Sequence, residues 1–234
     1  MKKNMKMATL VAGIVSVCFV CLLAAAPLRA ADGKTRYNAS SGSKMRLEGT
    51  STFHDWQSVS PLIIGFLEVG SNFPTEPGQA ATPGKVEANG QASIKVRSLR
   101  SVKKDGSFYD DKMDDKMYDM LEKGTNAFAT ISFSIKELTL KEAPKDKAGA
   151  YVFDSKGDLT VGGVTNSVAF PVNIFVLPDN KLKIAGTVPL KMTQFKINPY
   201  DVVVAKTGDD VTIKFEWMLK KSGAPAAATA SAPK

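Results

Sequence analysis

Beyond its first thirty residues the sequence has no cysteine, and over its whole length it has one histidine, His54. Cys18 and Cys21 both lie in the N-terminal stretch. A zinc or copper site of ordinary composition therefore cannot be assembled from the rest of the chain. The chain also lacks a Gly-x-Gly-x-x-Gly turn leading into a helix, a phosphate loop ending in Lys-Ser/Thr, and a Gly-x-Ser-x-Gly elbow, which removes the sequence support for nucleotide binding and for serine hydrolysis. Arg-rich runs are missing too, so nothing points to nucleic acid. Two-carboxylate chemistry stays open as a third reading, but nothing singles out a pair, and the expected role is not enzymatic, with no cofactor and no metal.

Long apolar runs are confined to one place. Lys2, Lys3 and Lys6 precede an uncharged stretch from Met7 to Ala26, followed by Pro27-Leu28-Arg29-Ala30-Ala31. This pattern reads as a secretory signal peptide over 1–30, cleaved after Ala30. The same run is long enough to serve as an uncleaved membrane anchor, which stays open as the alternative. Val17 and Val20 before the two cysteines do not suit a lipoprotein site. The segment holds four basic residues and no acid, so its removal takes the formal charge from +8 to +4. An exported chain left without disulfides has to be stable from its core alone. At the other end, residues 223–234 form an Ala/Pro-rich stretch expected to be a disordered tail. One domain over 31–222 lies between them.

Within that domain the periodicity is mostly two. Val211, Ile213, Phe215, Trp217 and Leu219 alternate with Thr212, Lys214, Glu216, Met218 and Lys220. Leu182, Ile184, Gly186, Val188, Leu190 and Met192 share one face of the preceding run, and Ala92, Ile94 and Val96 share one face of an earlier one. Ile131, Phe133 and Ile135 keep this rhythm until the parity flips to Leu138 and Leu140, which predicts a bulge near Lys136-Glu137. Further strands are expected at Met45–Thr52, Leu62–Val69, Tyr151–Val161 and Val168–Val176, with a Pro-Asp-Asn turn before Lys181. One wet and one dry face per strand imply an antiparallel all-β fold whose dry face closes into a barrel or packs on a second sheet. A barrel of about eight strands can be filled by side chains or hold one small ligand. Gly186 and Ala92 on the dry face leave room, but periodicity does not choose between the two.

One segment departs from this rhythm. Met113, Met117, Met120 and Leu121 recur at helical spacing, with Asp110 and Asp111 at the start and Lys123-Gly124 at the end. A short helix is expected there, with Asp110, Asp111, Asp114, Asp115 and Asp119 on its solvent side rather than around calcium. The methionine stripe suits core packing, or a surface that accepts varied apolar partners.

Four stretches together resemble the YceI-like family. "LEGTSTFHDW" resembles its start in the branch with a His-Asp-Trp element, and "DDKMYDMLEKGTNAFATISFS" its helix-to-strand segment. "GDLTVGGVTNSVAFPVNI" resembles its later hairpin, and "MTQFKI" occupies the place of an Arg-x-Asp-Phe-Gly-Ile element, with Gln194 and Lys196 standing for the Asp and Gly. The resemblance covers Thr35 to Lys221. It implies an extended, eight-stranded, lipocalin-like antiparallel barrel with one short helix, and a periplasmic protein that binds an amphiphilic lipid of the polyisoprenoid type inside that barrel. Transient contact with a membrane surface and pairing of two copies are compatible with it. A barrel with a packed, ligand-free lumen and a stress-related or partner-binding role is the alternative.

On the lipid reading, the expected tunnel lining follows from strand parity. Ile94 and Val96 come from one strand, Phe133 and Ile135 from the next, and Phe170, Val172 and Ile174 from a third. Ile184 and Val188, then Ile213 and Phe215, complete it. His54, flanked by Phe53, Asp55 and Trp56, reads as structural: on a strand it shares a face with Trp56, which is expected to wall one end of the barrel with His54 hydrogen-bonded beside it.

Overall fold

A computed structural model describes residues 33–202 and 205–222. The expected signal segment and the Ala/Pro-rich tail lie outside the described residues. The chain runs up and down as β1 (Thr35–Ala39), β2 (Lys44–Ser51), β3 (Trp56–Ser60), β4 (Ile64–Val69), β5 (Gly84–Val86), β6 (Ala88–Lys95) and β7 (Arg100–Val102). Helix α1 (Asp111–Glu122) follows, then β8 (Thr130–Glu142), β9 (Tyr151–Val161), β10 (Val164–Leu177), β11 (Lys181–Lys191), β12 (Asp201–Val202) and β13 (Ala205–Lys221).

Eight of these strands close a ring in the order β1-β4-β6-β8-β9-β10-β11-β13, and β13 pairs back onto β1 with Tyr37 opposite Lys221. The pairings are antiparallel throughout the described residues, as the one-wet, one-dry pattern requires. Closure leaves the ring without an unpaired edge. At one end three strands continue past the ring. β2 follows β13 from Lys44 opposite Glu216 to Ser51 opposite Thr207, β3 pairs with β2, and β7 pairs with β3. β7 and β8 do not pair, and α1 lies between them in the chain.

Local chemistry accounts for much of the detail. Along β9 the burial alternates residue by residue, with Tyr151, Phe153, Ser155, Gly157, Leu159 and Val161 inward. The β8–β9 register shifts between Ile135 and Glu137, where the apolar parity changes. Asp179 and Asn180 take positive φ values of 60° and 56° in the three-residue connection between β10 and β11, a left-handed conformation that Asn and Asp adopt more readily than other side chains. Three strands differ in extent from expectation: β2 runs from Lys44 to Ser51, β4 starts only at Ile64, and β10 runs from Val164 to Leu177.

Helix α1 has Asp110 at its N-cap, without a side-chain capping bond, and ends at Lys123 in the left-handed region. Its acids are not all solvated. Asp114 is 2% exposed and, with Tyr118 and Glu122, forms a buried stripe at i, i+4 and i+8. Asp114 accepts bonds from the Arg100 guanidinium and from the Ser101 N–H (2.7 Å). Glu122 accepts two bonds from Arg97, at 3.1 and 2.8 Å, and the Tyr118 hydroxyl donates to the Leu99 carbonyl at 2.6 Å. Burial of these carboxylates is tolerated because each is paired and hydrogen-bonded. Among the described residues, no helix is long and apolar enough to cross a membrane.

The end of the barrel away from α1 is solidly packed. Tyr37, Phe73, Leu140, Tyr151, Phe153, Ile174, Leu182 and Leu219 are all at most 1% exposed. The connection from β4 to β5 folds under this end, stacking Phe73 on Phe153 with ring centroids 5.8 Å apart. The Tyr151 hydroxyl donates to the Gln79 carbonyl of the same connection at 2.7 Å. A large apolar side chain and a satisfied polar contact thus seal the floor.

Candidate functional site

Above this floor the barrel is hollow. A cavity of about 120 Å³ is walled by Ile94 of β6, Phe133 and Ile135 of β8, Phe170, Val172 and Ile174 of β10, Ile184 and Val188 of β11, and Ile213 and Phe215 of β13. Strand parity names all of these, because a period of two puts every second side chain of a closed barrel inside. Val96 is the exception. The chain leaves the strand at Lys95 and enters a 3₁₀ turn over Val96–Ser98, so Val96 is buried outside this cavity while its N–H donates to the Ala129 carbonyl at 2.9 Å. The wall also includes residues that were not anticipated: Met45, Ile63, Leu138, Ser155 and Trp217. Trp217 stands on the expected dry face, so parity alone could have identified it; Ser155 was hidden by its polarity.

Three of the rings form a row, Phe133 to Phe170 at 5.2 Å and Phe170 to Phe215 at 6.2 Å between centroids. Glycines let two of them lie close to the wall. A Cβ at Gly186 would sit 2.8 Å from the Phe215 ring, and one at Gly157 would sit 2.6 Å from the Phe133 ring. The dry-face position of Gly186 predicts open space there, but the Phe215 ring takes that space.

A second cavity of about 350 Å³ adjoins the first and shares Met45, Ile94, Ile131 and Ile213 with it. Met113, Met117, Met120 and Leu121 of α1 face this outer chamber, as do Met192 and Phe195 of the 3₁₀ turn Met192–Phe195. The methionine stripe thus lines a hollow, a setting that suits flexible, polarizable thioethers. The ion pairs of the adjacent helix face hold α1 over this opening. His54, Lys116, Lys191, Lys206 and Tyr200 contribute to the outer rim.

The rim is basic and partly neutralised. Lys191 lies 2.6 Å from Asp210, whose hydrogen bond and charge raise the lysine pKa above its ordinary value. Lys206 pairs with Asp201 at 3.4 Å, and the Lys116 ammonium lies 5.4 Å from the Tyr200 ring centroid. Asp209 accepts from the Thr193 N–H and hydroxyl (2.9 and 2.7 Å), and these bonds hold its carboxyl below the usual aspartate range. Lys196, standing where the family resemblance expects glycine, has φ 55°, a left-handed conformation that costs about 1–2 kcal/mol for a residue with a Cβ. Gln194, standing for the aspartate, accepts from the Lys191 N–H at 3.1 Å and so keeps the turn closed.

His54 does not sit on a strand. It lies exposed in the turn between β2 and β3, with Nδ1 3.0 Å from the Asp55 carbonyl and no bond to Trp56. Trp56 starts β3, borders the outer chamber, and donates its indole N–H to the Thr50 carbonyl at 3.2 Å. Its ring covers Gly49, where a Cβ would clash at 2.2 Å. Among the described residues no three His, Cys, Asp or Glu side chains gather as a metal site would need.

A family model described as YceI-like domain matches residues 49–219. No curated protein matches the sequence. A solved polyisoprenoid binding domain from Saccharophagus degradans, implicated in plant cell wall breakdown, is similar with a TM-score of 0.55 at 11% identity, over 80% of this chain and 98% of that one. BcnA of Burkholderia cenocepacia is similar with a TM-score of 0.52 at 18% identity, over 75% of this chain and 95% of that one. At such identities the likeness is one of fold.

Proposed function

This chain belongs to the YceI-like family, and on that premise we propose that it is an exported, non-catalytic protein that sequesters or carries an amphiphilic lipid of the polyisoprenoid type inside its barrel. The observation that carries this reading is the pair of adjoining apolar chambers, sealed at the floor and bordered by exposed residues at the helix end. Size decides how they would be used. An apolar cavity of roughly 150 Å³ takes one benzene, so the inner chamber of about 120 Å³ holds one end of a ligand and the outer chamber the remainder. Each CH₂ moved from water into such a wall contributes about 0.8 kcal/mol. A segment of about ten carbons then gains roughly 8 kcal/mol before ordering costs, enough for useful affinity without any charged contact.

Export through the segment 1–30 would deliver the protein to the periplasm, where a carrier of membrane lipids has its substrate at hand. Phe53 (70% exposed), Met113 (42%) and Tyr200 (46%), beside Lys116 and Lys206, suit brief contact of the mouth with an anionic membrane surface.

Native mass spectrometry of the mature protein from its own host tests the reading. A bound mass removed by solvent extraction is the expected result. Repeatedly empty protein would favour the packed, ligand-free barrel instead. Val188→Phe, placed in the inner wall opposite Ile213, should abolish that mass while the barrel stays folded. Equal lipid in the variant would mean that the chain does not occupy the inner chamber.

A further inference from the structure

The two chambers have fixed boundaries except at the helix end, so their volume limits what the protein can carry. Below them Tyr37, Phe73, Phe153 and Leu219 are at most 1% exposed. Around the inner chamber the ring of strands is closed, with β13 paired back onto β1. Beside the outer chamber α1 is tied down by the Arg97–Glu122 and Arg100–Asp114 ion pairs. Neither wall nor cover yields space without breaking backbone pairings or uncovering a buried carboxylate.

Volume then translates into chain length. An apolar cavity of roughly 150 Å³ is filled by one benzene. By that measure the inner chamber of about 120 Å³ seats about one isoprene unit, and the outer chamber of about 350 Å³ roughly two or three more. The inner wall has no charged residue, whereas Lys116, Lys191 and Lys206 border the outer chamber, so the hydrocarbon end lies innermost and a polar head stays at the mouth. For a carrier moving through water, each carbon left beyond the mouth weakens retention about fourfold relative to a buried one. Resting on the lipid-carrier reading above, we propose that the protein selects short isoprenoid chains of about three to four units and turns away longer ones. The geometry assigns this limit to Phe170. Its ring borders the inner chamber and is the middle one of the row, 5.2 Å from Phe133 and 6.2 Å from Phe215. It takes up about the space of one further isoprene unit.

Phosphatidylcholine vesicles loaded with equal amounts of farnesol, geranylgeraniol, geranylfarnesol and solanesol, prenols of rising length, make the test. Delipidated protein is incubated with them until its load no longer changes with time. It is then recovered, and the bound prenols are extracted and counted by mass spectrometry. On wild type, geranylgeraniol is expected to exceed solanesol at least about tenfold. In Phe170→Ala, geranylfarnesol should rise to parity with geranylgeraniol, because the vacated ring space admits one more unit. The wild-type ratio needs no variant, so it tests the selection even if Phe170→Ala fails to fold. Solanesol loaded equally with geranylgeraniol, or above it, overturns the length limit and leaves the carrier reading intact. A folded Phe170→Ala with the wild-type distribution overturns the assignment of the limit to Phe170. A protein that takes up none of the four prenols overturns the carrier reading, and this inference with it.

Discussion

The two ends of the barrel are built from the same alternating strands and serve opposite purposes. At the floor, Tyr37, Phe73, Phe153 and Leu219 interlock at no more than 1% exposure, and the β4–β5 connection supplies a ring to fill the centre. At the mouth, α1 is held by Arg97–Glu122 and Arg100–Asp114 on one side, while its methionines face a hollow on the adjacent side. The difference teaches that a cover can be attached by polar contacts without filling what it covers. Stability and capacity are thereby separated along one barrel axis.

The contrast can be broken most forcefully at the floor. Phe153→Ala is expected to cost roughly 3–5 kcal/mol, since a fully buried ring is lost and its neighbours cannot collapse around the gap. Urea unfolding measures this; a loss under about 1 kcal/mol would mean that the floor does not carry the stability. Asp114→Asn comes next, with an expected cost of about 1–3 kcal/mol, because the Arg100 guanidinium and the Ser101 N–H lose a charged acceptor. Hydrogen exchange should show α1 losing protection while β9 and β10 keep theirs. Uniform loss across both would show that helix and barrel unfold as one unit.

Alkaline pH should act on the floor through Tyr37 and Tyr151. Burial raises both hydroxyl pKa values; for Tyr37 the charge of Glu76 adds to this, and for Tyr151 the bond to Gln79 opposes it. Below the ordinary tyrosine value of about 10, folded and unfolded chains hold the same protons and stability is level. Above it the unfolded chain ionises first, so stability falls as pH rises towards the raised folded values. Replacing both tyrosines with Phe should flatten that decline in urea midpoints. Tyr118 of α1 shifts in the same direction, chiefly through burial and then Asp114, with Arg100 and Arg97 opposing. A decline unchanged in the double variant would move the alkaline sensitivity from the floor to the helix.

The smallest expected effect belongs to the mouth. Asp209, held below the usual aspartate value by the Thr193 N–H and hydroxyl, contributes stability that is present above about pH 3.9 and lost as pH falls through its lower folded value. An NMR acid titration should show the Thr193 amide moving only below the ordinary aspartate midpoint. Movement at that midpoint would remove the anchor from the rim's description.

Much of the site was legible because a strand needs only local alternation to declare its dry face. Ile184, Val188, Ile213 and Phe215 could be named from spacing, and the bulge after Ile135 from a parity flip. Val96 was misassigned because nothing in Ile94-Lys95-Val96 signals that the strand gives way to a 3₁₀ turn. Asp114 looked solvated among lysines because its partner, Arg100, lies on a different element. His54 was placed on a strand that in fact turns before it.

Alternation, turn residues and the helical methionine spacing are properties of neighbouring residues, and they were sufficient for an antiparallel all-β chain with one helix and for the inward set of its strands. Where that inward set would interlock and where it would stay apart depended on contacts between residues far apart in the chain. Phe73 reaching Phe153 filled one end; Phe215 lying over Gly186 and the arginines holding α1 kept the other hollow. Packing is decided by the shapes that closure brings together, and no local pattern encodes them.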